Sequence, residues 1–83
     1  MRNDIVQAKE KPVTYDWVDD RLPTEDEYLS ESKTRYRRFE IVTESQNERY
    51  YCFAYFVDNT WIDVRNAKIL STVIAWKIHQ PYV

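Results

Sequence analysis

Between residues 36 and 78 apolar side chains recur at every second position, the period of a β-strand. Phe39, Ile41 and Thr43 alternate with Arg38, Glu40, Val42 and Glu44, which predicts a half-buried strand over 36–44. Ser45-Gln46-Asn47-Glu48 reads as a turn. Residues 49–57 carry the strongest strand signal in the chain. Tyr51, Phe53, Tyr55 and Val57 share one face, and Tyr50, Cys52, Ala54 and Phe56 the other. With both faces apolar, this is a central strand covered on both sides, or else an aromatic surface is left open. Asp58-Asn59 predicts a hairpin turn into a strand over 60–64. A loop around Asn66 leads to a last strand over about 70–78, where Ile74, Trp76 and Ile78 oppose Val73, Ala75 and Lys77, and Pro81 closes it.

The first third of the chain has weaker patterning. Residues 1–12 are polar and aperiodic and read as a flexible arm. Val13, Tyr15 and Trp17 alternate, which predicts an extended segment laid on the core. After Pro23, Thr24-Glu25-Asp26-Glu27 spells a capping box: a hydroxyl for the orphan amides and a glutamate three residues on that reaches back. A short helix over 25–32 follows, anchored by Tyr28 and Leu29. The predicted fold is therefore α+β and mostly β. It is a four-stranded antiparallel meander, as a curled sheet or small open barrel, with one short N-terminal helix over one end. Residues 13–83 form this single small domain, with Trp17, Trp61 and Trp76 as core staples.

Composition sharpens the picture. The chain has 83 residues, enough for one domain of modest stability, and 43% of them are hydrophobic, so a packed core rather than disorder is expected. There is no glycine. Turns that need positive φ must then fall on Asn or Asp, and Asn47, Asn59 and Asn66 are the predicted positions. A lone cysteine, Cys52, rules out an internal disulfide and suits a reducing compartment. Neither a secretion leader nor an apolar run of membrane-spanning length is seen, so the cytoplasm is the expected location.

The residue types give little to build catalysis on. Zinc chemistry needs about four Cys or His ligands, and the chain holds one of each, Cys52 and His79. Cys52 lies mid-strand among aromatics and reads as a buried, inert thiol, while His79 reads as exposed. Asp16, Asp19 and Asp20 cluster beside the helix cap, where solvated carboxylates outweigh a hydrolytic or magnesium-binding pair. Without glycine, phosphate-cradling loops are excluded. The expectation is a non-enzymatic protein with no metal and no cofactor.

Charge is divided along the chain. Residues 1–32 carry nine acids against four bases, and residues 33–83 eight bases against five acids. The stretch from Asp16 to Glu31 is a solvated face, or an electrostatic lure whose carboxylates imitate a phosphate backbone and dock into a basic groove. Lys33, Arg35, Arg37 and Arg38 interleave with Tyr36 and Phe39. They make a charged strand edge that discourages aggregation, or a nucleic-acid surface extended by Arg49, Tyr50 and Tyr55. The net charge of −2 speaks against the second reading. Seven tyrosines exceed the needs of so small a core, and exposed tyrosines favour protein interfaces. A homodimer on the second strand's outer face or on a free edge follows from the same surplus.

Val18-Asp19-Asp20-Arg21-Leu22-Pro23, a strand–turn–strand with Asp58-Asn59-Thr60-Trp61, and Val73-Ile74-Ala75-Trp76 resemble a phage and prophage family of unknown function. Its members open with a tryptophan, a valine and Arg-Leu-Pro, pass through a Tyr-x-x-Gly-x-Trp hairpin and end in Val-Thr-His-Trp with prolines. The resemblance covers roughly residues 15–81. Here Tyr15 stands in place of the leading tryptophan, the hairpin glycine is missing, and Lys77, Ile78 and His79 replace the closing prolines. It implies a small β domain of phage origin and carries no site residues. The expected function is then a phage-encoded binding module, acting in the host cytoplasm. It would dock to a host or phage protein, as an anti-defence inhibitor for instance, through Asp19, Asp20, Glu25, Asp26, Glu27, Tyr50 and Phe56. The alternative is a nucleic-acid-binding domain using Lys33, Arg35, Tyr36, Arg37, Arg38 and Arg49. A third reading is a small-molecule sponge with an aromatic pocket at a subunit interface.

Overall fold

The alternation over 39–57 folds into a hairpin. β1 (Phe39–Ser45) and β2 (Glu48–Val57) pair antiparallel from Phe39 opposite Ala54 to Ser45 opposite Glu48. Gln46 and Asn47 turn between them at φ 53° and 67°. Two successive positive φ values match the right-handed twist of the flanking strands, and asparagine tolerates them without glycine. Asp58 and Asn59, at φ 51° and 61°, repeat the device before β3 (Thr60–Asp63). The structure, a computed structural model, describes residues 15–80. The predicted arm 1–12, Val13 and Pro81 lie outside the described residues.

Among the described residues the sheet has five strands rather than four. The predicted strand over 70–78 is two: β4 (Ile69–Leu70), paired with β3, and β5 (Val73–Ile78), paired with β1. The sheet order is β4-β3-β2-β1-β5 and every pairing is antiparallel. Ser71 and Thr72 carry the chain from one edge of the sheet to the other. A flat sheet would set those edges four strand spacings apart, about 19 Å. From Leu70 to Val73 the chain reaches only about 10 Å. The sheet is therefore strongly curled, though β4 and β5 do not pair and it stays open. Thr72 fastens the crossing: its carbonyl accepts the Glu44 amide and the Thr43 hydroxyl.

Curling buries the concave face. Phe39 and Ile41 of β1, Cys52, Ala54 and Phe56 of β2, Trp61 of β3, and Trp76 and Ile78 of β5 form the core. Their rings meet at steep angles, Phe39 against Trp61 at 5.1 Å and against Trp76 at 5.4 Å between centroids. Such edge-to-face contacts favour aromatic pairs beyond the area they bury. Trp76 Nε1 donates to the Arg21 carbonyl at 2.7 Å, so the indole is satisfied as well as buried.

Residues 15–37 cap one end of this concave face. Val18 bridges Trp76 in both directions at 2.8 and 2.9 Å, and Pro23 is buried. The predicted alternation is thus out of phase, because Tyr15 and Trp17 are exposed and Val18 packs inward. Helix α1 (Glu25–Tyr28) is one turn long, not eight residues. Past Leu29 the sequence offers no apolar stripe to bury, and a helix without packing does not repay its nucleation. Instead Leu29 bridges Tyr36, and the Arg37 amide returns to the Tyr28 carbonyl. Asn66 turns as predicted, its Oδ1 accepting the Lys68 amide, but the positive φ falls on Ala67.

Candidate functional site

The acidic stretch does not form one face. Asp19 and Asp20 are exposed beside the Val18 bridge. Glu25 and Asp26 are exposed on α1 and share Lys33, whose Nζ lies 3.5 and 3.3 Å from them. Glu27, predicted among the docking acids, is 3% exposed. Its carboxylate accepts both terminal nitrogens of Arg21, at 2.7 and 2.8 Å, and the Thr24 amide at 2.9 Å. Burial works against its charge, but the bonds from Arg21 and Thr24 outweigh it and hold the carboxyl below the usual range. Glu27 is a structural anchor of the cap rather than part of a lure.

Phe56 needs the same correction. It is 2% exposed, packed between Tyr28 and Trp61 at 5.6 and 4.7 Å, because even positions of β2 face the core. Tyr50 is exposed, its hydroxyl donating to Glu48 at 2.7 Å. It lies six residues along β2 from Phe56, about 20 Å from the contacts of α1, so the acids and Tyr50 make no common surface.

The basic stretch is likewise dispersed. Lys33 serves Glu25 and Asp26, and Arg37 Nε donates to the Leu29 carbonyl at 2.8 Å. Tyr36 stacks on Tyr28 at 6.3 Å, and Arg35 is exposed on the same loop. Arg38 reaches the opposite, convex face of the sheet and lies 5.9 Å over the Phe53 ring. Arg49 sits opposite Glu44 near the far end of the β1–β2 hairpin.

What the fold assembles is the convex face. Odd positions of β2 point there, and Tyr51 is 56% exposed. Trp17, expected in the core, is 44% exposed and sets its ring edge-on to Tyr51 at 6.3 Å. Phe53 continues the row, 6.1 Å from Tyr51 and 5.1 Å from His79. Lys77 Nζ stands 5.0 Å over Trp17. Glu40 ties the cluster together: it accepts the Tyr51 hydroxyl and lies 3.0 Å from His79 Nδ1 and 3.9 Å from Lys77 Nζ. Burial opposes its charge, yet Tyr51, His79 and Lys77 together keep the carboxyl below its ordinary value. The hydrogen bond to Glu40, with burial, pushes the Tyr51 phenol up to about 12. His79, predicted exposed, is half-buried by these contacts. The signal for this face was present in the two apolar sides of 49–57. The place of Trp17 in it was not readable, since its own strand-like spacing pointed inward.

A second feature lies at the uncovered end of the concave face, a cleft of about 670 Å³ lined by Thr43, Tyr50, Cys52, Asp63, Arg65 and Leu70 among others. Asp63 is 3% exposed and accepts the Arg65 amide at 2.8 Å and its Nη2 at 3.0 Å. Those bonds outweigh burial and lower its carboxyl, whereas burial, with the Asp63 charge, raises the Cys52 thiol. Burial and the neighbouring Asp63 charge thus disfavour the Cys52 thiolate, while Asp63 itself is held by Arg65. Among the described residues no group of three or more His, Cys, Asp or Glu could hold a metal ion, and no helix is long and apolar enough to cross a membrane. No family model, curated protein or solved structure is found to match the chain.

Proposed function

We propose that the chain is a non-enzymatic docking module that grips a partner protein with its convex face. The observation that carries this reading is the exposed pair of perpendicular rings, Trp17 and Tyr51, flanked by Arg38, Lys77 and Glu40. Tryptophan, tyrosine and arginine are the residues in which interface energy concentrates, and here they share one surface. Asp19, two residues from Trp17, and Asp20 border it with negative charge. The resemblance of Arg21-Leu22-Pro23 and Val73–Trp76 to phage sequences supports, as the biological setting, a phage-encoded protein acting on a host or phage partner in the host cytoplasm. A partner recovered from lysate, then purified, should bind the Trp17→Ala/Tyr51→Ala variant at least about tenfold more weakly, a loss of about 1.4 kcal/mol. Circular dichroism should be unchanged. Equal affinity of a folded double variant would sink the reading.

A second reading rests on Arg49 alternating with Tyr51 and Phe53 along one strand, with Arg38 and Lys77 nearby. Cations interleaved with rings suit single-stranded nucleic acid. It requires a gel shift at low salt that weakens steeply as salt rises, and that Arg38→Ala and Arg49→Ala both diminish. A homodimer through the same face is the remaining occupant, and sedimentation velocity separates it from both.

A further inference from the structure

β2 is ten residues long, and its two edges are unequally covered. β1 pairs with it from Glu48 to Ala54, whereas β3 reaches only from Ala54 to Val57. In an antiparallel ladder the N–H and C=O of one residue point to the same side, and the side alternates along the strand. The Val64 amide donates to the Phe53 carbonyl at 3.0 Å, which fixes the parity. Phe53, Tyr51 and Arg49 aim their backbone groups away from β1. The N–H and C=O of Arg49 and Tyr51 therefore have no backbone partner among the described residues. They border an open slot whose far wall is the turn after Asp63 and the start of β4. Beneath it lies the cleft that holds Tyr50, Cys52 and Leu70.

Unpaired donors and acceptors at two-residue spacing match an extended backbone. A second copy of the chain does not fit as the occupant. Paired two-fold about Tyr51, its Gln46-Asn47 turn would fall where β3 already lies beside Tyr55 and Phe56. Paired about Arg49, it would set like charges directly opposite each other. The charges around the slot choose among other strands. Asp63 is buried and paired with Arg65, whose side chain is still 73% exposed, and Glu48, which accepts the Tyr50 hydroxyl, lies outside the lining of the cleft. Arg49 and Lys68 form no ion pair among the described residues, and Glu44 is the acid left to face them.

We propose that this slot is a strand-addition site for an extended, acid-bearing peptide segment of a partner protein, about four residues long, bonded to the backbone of Arg49 and Tyr51. Its alternate side chains enter the cleft, where Arg65 and Lys68 receive a carboxylate. The site adjoins the convex face at Tyr51 but uses that residue's backbone and not its ring, so it stands whether or not the rings of that face bind a protein. A random heptapeptide display library, selected against the folded chain, tests it. Enriched peptides should carry Asp or Glu and slow hydrogen exchange at the Arg49 and Tyr51 amides. They should bind Lys68→Glu about tenfold more weakly, the worth of one charge-assisted contact. Arg49→Pro removes an N–H that β1 does not use, so it should weaken binding well beyond Arg49→Ala, which removes the side chain alone. If Arg49→Pro does not fold, Lys68→Glu and the exchange pattern decide. Absence of enrichment overturns the proposal. So does enrichment of peptides that leave those amides unprotected, or that bind Lys68→Glu as tightly as the unaltered chain.

Discussion

Glu27 shows how one side chain can change role once its surroundings are known. By residue type it belongs to an acidic run, but the fold buries it and gives its oxygens four hydrogen bonds, two from Arg21 and two from Thr24. Removing the charge weakens the charge-assisted bonds that the buried carboxylate receives from Arg21 and Thr24, so Glu27→Gln should lower unfolding free energy by about 2 kcal/mol, read from urea denaturation. A double cycle with Arg21→Ala should show most of that loss as coupling. If Glu27→Gln unfolds like the unaltered chain, the carboxylate is not the anchor described. Asp63 and Arg65 form the equivalent clasp at the other end of the concave face.

At the scale of elements, a chain without glycine has to turn on side chains that tolerate positive φ. Asn47 and Asn59 do so at small cost, but Lys33 and Ala67, both at φ 60°, lack the short polar side chain with which Asn or Asp bonds its own backbone there. Ala67→Gly should therefore stabilise the domain by about 1 kcal/mol, which raises Tm by about 4–8 °C for a chain of this size. Asn59→Gly should gain less. A fall in Tm for Ala67→Gly would mean that the β3–β4 turn owes its shape to something other than backbone preference. α1 illustrates the opposite balance, since a capping box starts a helix but only an apolar face would prolong it.

At the scale of the molecule, three carboxylates held below their ordinary range, those of Glu27, Glu40 and Asp63, make stability depend on acid. Each binds protons less readily in the folded chain than in the unfolded one. Its contribution is complete above the unfolded values, near pH 4, and disappears as pH drops through the lower folded ones. The urea midpoint should stay level from pH 7 to about 5 and then decline. The Glu27→Gln/Asp63→Asn variant should start lower and decline less steeply. An unchanged slope would show that these groups titrate alike in both states. The two faces of the curled sheet also divide the labour. The concave one is filled by rings and aliphatics, and the convex one is left aromatic, charged and accessible.

Much of this was legible in the residues themselves. Alternation over 39–57 placed Phe39, Ile41 and Thr43 inside. Asp58-Asn59 marked a hairpin, and Thr24 with Glu27 marked a cap, because strand period, turn stereochemistry and capping are local and act within a few positions. Asn47 was read correctly for the same reason. The crossing at Ser71-Thr72 was not, since a run of strand formers gives no sign of which edge it will join. Nor could spacing reveal that Trp17 rests on Tyr51 or that Phe56 lies beneath Tyr28, for those neighbours are fixed by the direction in which the sheet curls. Local sequence settled where the two hairpins turn. Only the closing of the sheet decided which aromatic rings face water and which half of β2 keeps an open edge.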